Sequence, residues 1–139
     1  TAMNAAKTIL DGFVLLAASG MEFPDDARVV SAVNKNLATV VEEDLDYFSN
    51  LSFLDVSENA LDIFPFRYLP SLVELRLAAN MITKIRPLTD GFDNLFYLDL
   101  SYNRLGYDAL VALTQLPVLR ELDVSGNEIS EVGWSRIAC

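Results

Sequence analysis

An asparagine recurs at Asn59, Asn80, Asn103 and Asn127, and its surroundings recur with it. The separations are 21, 23 and 24 residues (59 to 80, 80 to 103, 103 to 127). Aligning the four places apolar residues in columns ahead of each Asn: Leu51, Leu54 and Val56; Leu72, Leu75 and Leu77; Leu95, Leu98 and Leu100; Leu119, Leu122 and Val124. Two places beyond each Asn stands Leu61, Ile82, Leu105 or Ile129. A unit this short cannot bury its own apolar face. Successive units must stack and share one continuous core.

The pattern LxxLxLxxNxL, four times over, is that of a leucine-rich repeat. The expected fold is an α/β solenoid with a parallel concave sheet, a mixed irregular and helical convex side, and an N-terminal helical cap. Period-2 alternation sends the two strand leucines inward and their neighbours to solvent. The Asn amide is expected to bond backbone groups that the turn leaves unpaired, so that Asn59, Asn80, Asn103 and Asn127 form a structural ladder.

The return segments differ from one another. "DIFPFRYLP" (62–70) reads as irregular or a single helical turn because of its proline, and "TKIRPLTDGFD" (83–93) reads similarly. Ala109, Leu110, Ala112, Leu113 and Leu116 have helical spacing, which predicts about two to three turns. An earlier, degenerate repeat is placed at "SAVNKN" (31–36), with Asn36 in the Asn column and Val33 at an apolar position. "VVEEDLDYFS" (40–49) is then its return segment. Residues 4–19 read as a capping helix with Ile9, Phe13 and Leu16 on its buried side, ended by "GMEFPDD" (20–26). The expected division is a capping helix and linker over 1–26 and a repeat domain of about five repeats over 27–139. The last repeat looks incomplete at its C-terminal end, with Trp134 and Ile137 as a partial lid.

Composition narrows the function. The chain of 139 residues is 52% hydrophobic, enough for a core, and carries a net charge of −10. That charge opposes nucleic acid and anionic membranes as partners. The one cysteine, Cys139, leaves no intrachain disulfide and favours a reducing, intracellular compartment. Histidine is absent, which removes Ser-His and Cys-His pairs and His metal sites. No glycine-rich phosphate loop occurs. The densest acidic run, "EEDLD" (42–46), lacks the glycine and spacing of an EF-hand. The expectation is a non-catalytic chain with no cofactor and no metal.

What remains is surface. Outward strand positions should stack into columns about 4.8 Å apart. One is Phe53, Glu74, Tyr97 and Glu121; the next is Asp55, Arg76, Asp99 and Asp123; a third is Ser57, Ala78, Ser101 and Ser125. The first two columns make the candidate protein-binding face, an acidic trough with two aromatic platforms suited to a basic or amphipathic segment. The competing reading gives the aspartates to solubility and strand-edge hydrogen bonding. Arg76, the one cation, is expected to bridge its column neighbours Asp55 and Asp99. Arg67, Lys84, Arg86 and Arg104 are expected on loops, as a separate basic edge.

The stretches "TILDGFVLLAASG", "SAVNKN", "LDVSENALDIFPFRYLPSLVELRLAANMITKI" and "FYLDLSYNRLGYDALVALTQLPVLRELDVSGNEI" carry a resemblance over most of the chain. It is similar to the repeat region of the X-ray radiation resistance-associated protein family, while Phe64-Pro65-Phe66 departs from ordinary solenoid turns. Intracellular repeats of this kind also resemble those of axonemal and dynein-associated proteins, phosphatase regulators and splicing-factor subunits. The resemblance implies a docking surface, in a protein-protein interaction scaffold. The alternative is a structural subunit of a large cytoskeletal assembly such as a ciliary axoneme, held through its edges and open C-terminal end. Expected locations are the cytoplasm, a cilium or the nucleus.

Overall fold

The computed structural model describes residues 8–129. Seven short strands and three short helices follow one another: β1 (Thr8–Leu10), α1 (Gly12–Ser19), β2 (Val29–Ser31), β3 (Leu37–Val40), α2 (Glu42–Leu45), β4 (Phe53–Asp55), β5 (Glu74–Arg76), β6 (Tyr97–Asp99), α3 (Tyr107–Leu113) and β7 (Glu121–Asp123). Two 3₁₀ turns, Pro24–Asp26 and Phe64–Tyr68, lie among them. Strands β2, β4, β5, β6 and β7 form one parallel sheet in that order. β1 pairs with β3 in a second, two-stranded parallel sheet.

The registers Leu54↔Leu75, Leu75↔Leu98 and Leu98↔Leu122 are those set by the Asn alignment. The inward columns Leu54, Leu75, Leu98 and Val56, Leu77, Leu100 are completely buried. At about 25 cal/mol per Å² removed from water, each such leucine contributes about 2–3 kcal/mol. Phe48, Ile63, Phe66, Leu69, Leu88, Phe92, Leu110 and Leu113 close the same core from the return side. That side is mixed as expected: α2, the 3₁₀ turn Phe64–Tyr68, an irregular third segment and α3.

The Asn ladder is continuous. Asn103 Oδ1 accepts from the backbone N–H of Asn80 (2.9 Å) and Ile82 (3.0 Å) in the preceding repeat. Its Nδ2 donates to the carbonyls of Leu77, Leu100 and Ser101. Asn59 accepts from Lys35 and Leu37, Asn80 from Leu61, and Asn127 from Leu105. Each amide thus joins two neighbouring turns.

The first repeat lies one residue from where the Asn pattern puts it. Val30 pairs with Leu54, a shift of 24 (30 to 54). That shift sets Lys35, not Asn36, opposite Asn59, and Asn59 Oδ1 accordingly accepts from the Lys35 N–H at 3.0 Å. The apolar positions become Ala27, Val30, Ala32 and Leu37, all buried, and Val33, half-buried, takes the position that Ser57 holds in the next repeat. Asn34 then matches Glu58, Ala79, Tyr102 and Gly126, all with φ between 56° and 70°.

The N-terminal expectation is also corrected. Thr8–Leu10 is a strand, and the helix starts only at Gly12. Asp11 is the reason: its Oδ1 accepts the Val14 N–H at 3.0 Å, an N-cap bond that fixes the start. Gly20, at φ 73°, ends the helix in the left-handed conformation, as the "GMEFPDD" segment predicts. Leu15, not Phe13 or Ile9, is the buried residue; Phe13 and Ile9 are exposed. α1 lies against β2 at that end of the sheet. Trp134, Ile137 and Cys139 lie outside the described residues, as do residues 4–7 of the expected helix.

Candidate functional site

The outward face of the sheet is set by register. Val29, Phe53, Glu74, Tyr97 and Glu121 are successive partners, as are Ser31, Asp55, Arg76, Asp99 and Asp123. All eight residues expected on this face stand on it, side by side.

The aspartates hold the backbone at the strand ends. Asp55, Asp99 and Asp123 Oδ1 accept the N–H of Ser57, Ser101 and Ser125 at 2.9–3.0 Å. The hydroxyls of Ser101 and Ser125 donate to the same oxygens at 2.7 Å. Ser57 Oγ accepts the Ala78 N–H, and Ser57 and Ser101 are buried. The serine column is therefore structural. The bonds from Ser125 hold the Asp123 carboxyl below the usual carboxylate range, so it stays charged.

Arg76 does not bridge Asp55 and Asp99. Its Nε and Nη2 both donate to Glu74 Oε2, at 2.7 and 2.6 Å. Its guanidinium lies 4.9 Å from the centre of the Tyr97 ring and 5.9 Å from that of Phe53. The two rings bracket the cation and steer it along its own strand. The Glu74 bond raises the Arg76 pKa further, so the cation is permanent. Burial, more than the facing carboxylates, raises the Tyr97 phenol. Since Arg76 and Glu74 neutralise each other, Asp55, Asp99, Glu121 and Asp123 have no cation in salt-bridge range among the described residues.

Of the expected basic edge, Lys84 and Arg104 are exposed, while Arg67 and Arg86 are engaged on an aromatic ring. The Arg67 side chain is only 12% exposed. Its guanidinium stacks on Phe64 (3.6 Å) and Tyr68 (4.1 Å), donates to the Phe64 carbonyl and the Tyr68 hydroxyl, and stands 3.8 Å from Asp90. Arg86 covers Phe64 at 3.8 Å and lies 3.9 Å from Asp62. Phe64 is thus clasped by two arginines, which gives the unusual Phe-Pro-Phe turn its role in packing.

The sequence missed one cluster. Phe13, Met21, Phe23 and Tyr47 are all exposed near α1. The signal was available: a helix apolar on every side has no solvent face.

Comparison with known proteins agrees with this geometry. The family model described as a leucine rich repeat matches residues 70–129. X-ray radiation resistance-associated protein 1 of Mus musculus is 32% identical over 124 residues, which cover 89% of this chain and 16% of that protein. An internalin from Listeria monocytogenes is 25% identical, with a TM-score of 0.57, over 74% of this chain and 31% of the other. Internalin C2 from the same species shares the fold at a TM-score of 0.60 and 21% identity, over 91% of this chain and 68% of the other. The chain thus spans a small part of the murine relative and less than a third of the first internalin. Repeat, ladder and register make it a leucine-rich repeat solenoid that resembles X-ray radiation resistance-associated protein 1.

Proposed function

We propose that this solenoid is a non-catalytic docking scaffold whose concave face takes a basic or amphipathic protein segment. One observation carries the reading. The register sets Asp55, Asp99, Glu121 and Asp123 beside Phe53 and Tyr97, while Glu74 occupies the face's one cation. A partner lysine or arginine would meet carboxylates that no internal cation neutralises, beside an aromatic surface. Strand β1 and helix α1 serve in this reading as the cap of the β2 end, with the repeats running from about residue 27 onward.

The test is an extended arginine-rich peptide, made non-helical with prolines, titrated into the full chain by fluorescence anisotropy. Neutralising the face with Asp99→Asn and Asp123→Asn keeps the Oδ1 acceptors for Ser101 and Ser125 and should weaken binding sharply, with the fold unchanged by circular dichroism. Unchanged affinity in that variant refutes the concave-face reading. Cross-linking mass spectrometry on the native protein gives an independent check: cross-links confined to the convex side contradict it.

A further inference from the structure

Helix α1 reads Gly-Phe-Val-Leu-Leu-Ala-Ala-Ser and has no polar face. Helices of that kind are normally enclosed on all sides. Here Leu15 alone is fully buried, while Phe13 is 82% exposed. Phe23 (62%) and Tyr47 (66%) are exposed as well. Phe13 and Leu16 form one wall of a groove of about 210 Å³, and Tyr47 and Phe48 line it with Pro24. Apolar surface gathered this way marks a contact site more often than a solvent face.

The groove has a charged rim. Asp44 lines it, and its Oδ2 accepts the Gly12 N–H at 2.8 Å, which ties α2 to the start of α1. Glu42, Glu43 and Asp46 line a separate depression with Val40 and Tyr68, so Asp44 is the carboxylate in the groove itself and the others add to the charge around it. Between residues 11 and 48 the chain has eight acidic and two basic residues, so −6 of the total −10 falls in this segment (2 − 8).

We propose that this groove docks an amphipathic helix of a partner protein whose polar face is basic. An apolar residue of that helix seats between Phe13 and Tyr47, and its lysines or arginines meet the carboxylates of the rim. The charge selects this occupant. A second copy of the chain would bring the same acidic rim into contact with itself, and an anionic membrane would be repelled. The inference is independent of the concave-face reading and uses none of its residues.

The probe is a synthetic amphipathic helical peptide of leucine and lysine, titrated into the isotope-labelled full chain and followed by amide chemical shifts. Shifts should gather on 12–23 and 44–48, weaken as salt rises, and persist in the Asp99→Asn, Asp123→Asn variant. Phe13→Asp should weaken binding by about tenfold or more, and Tyr47→Asp, across the groove and outside α1, supplies a second variant should the first disturb the helix. A leucine–glutamate peptide of the same pattern should not bind. Shifts confined to the concave face, or indifference to both substitutions, would overturn the proposal. So would a wild-type dimer in sedimentation that Phe13→Asp dissociates, or equal binding of the glutamate peptide.

Discussion

Replacing Asn103 by alanine should be among the most damaging single changes to the solenoid. Asn103 is 5% exposed and joins two repeats. Its loss strands the N–H groups of Asn80 and Ile82, both held at 2.9–3.0 Å. It also removes the donor to Leu77, whereas the Leu100 carbonyl keeps the Asn127 amide at 2.9 Å. An unsatisfied buried polar group costs about 1–3 kcal/mol. Two such N–H groups give about 2–6 kcal/mol, and water entering the vacated space brings the expectation to about 3 kcal/mol. That is a large share of the about 5–15 kcal/mol typical of a domain. Urea unfolding followed by far-ultraviolet circular dichroism would measure it, with the slope unchanged. Asn127→Ala provides the internal comparison. Asn127 is half-buried and takes the Leu105 N–H, so about 1 kcal/mol is expected there. Asn103→Asp keeps the acceptor but turns a buried carboxylate oxygen onto the Leu77, Leu100 and Ser101 carbonyls, and should cost at least as much as the alanine. A loss below about 1 kcal/mol at Asn103, or equal losses at Asn103 and Asn127, would refute the ladder argument.

Three further outcomes follow from the geometry. Gly91→Ala should lower the melting temperature more than Gly126→Ala. Both glycines have φ near 70–77°, but the added methyl would lie 2.6 Å from the Arg67 backbone carbonyl at Gly91, and 2.5 Å from the exposed, movable Tyr102 ring at Gly126. The left-handed backbone costs about 1–2 kcal/mol in each, and only Gly91 adds a clash that cannot relax. Arg76→Asp should leave the fold intact in a thermal melt, with a loss of about 1 kcal/mol or less, because the pair it breaks is partly exposed; a much larger loss would mean that the ring-bracketed cation is structural. Ser125→Ala should raise the Asp123 pKa toward the ordinary carboxylate value, read by carbon-13 shifts during an acid titration. The sign follows from the depressed folded pKa: the stabilisation is present above the unfolded value and is lost as pH falls through the folded one. The variant should lose part of that acid-range dependence, because the backbone N–H at position 125 still donates to Asp123.

Strand columns and ladder were legible because burial enforces period 2 and only an amide serves both sides of the turn. Leu54, Leu75 and Leu98 could take no other register without exposing a full row. The first repeat was harder to place, since Lys35 contributes only its backbone there and Asn34 and Asn36 compete as markers. The Arg76 pairing was not legible. A cross-strand neighbour is about 4.8 Å away and a same-face neighbour in the strand about 6.7 Å, so spacing alone favours the aspartates. The rings of Phe53 and Tyr97, placed in the neighbouring column by the repeat, reverse that preference by standing on both sides of the guanidinium. Arg67 was misread for a similar reason, because the 3₁₀ turn folds it back onto Phe64. The exposure of Phe13 was hidden because α1 is apolar all round, so spacing could not tell which side meets the sheet.

The turn ahead of each ladder asparagine shows how freely this scaffold can be retuned. Asn34, Glu58, Ala79, Tyr102 and Gly126 share one left-handed backbone shape and almost nothing else. Neighbouring rungs impose the shape, so the side chain is left to chance or to use. Glu58 and Tyr102 are exposed and hold that conformation at a disadvantage to glycine or asparagine. Each rung is therefore a separate dial. Glu58→Asn and Tyr102→Asn would relax their turns independently, and in a stack governed by nearest neighbours the gains should add. A designer could stiffen the spine one notch at a time without touching the concave face or the α1 groove.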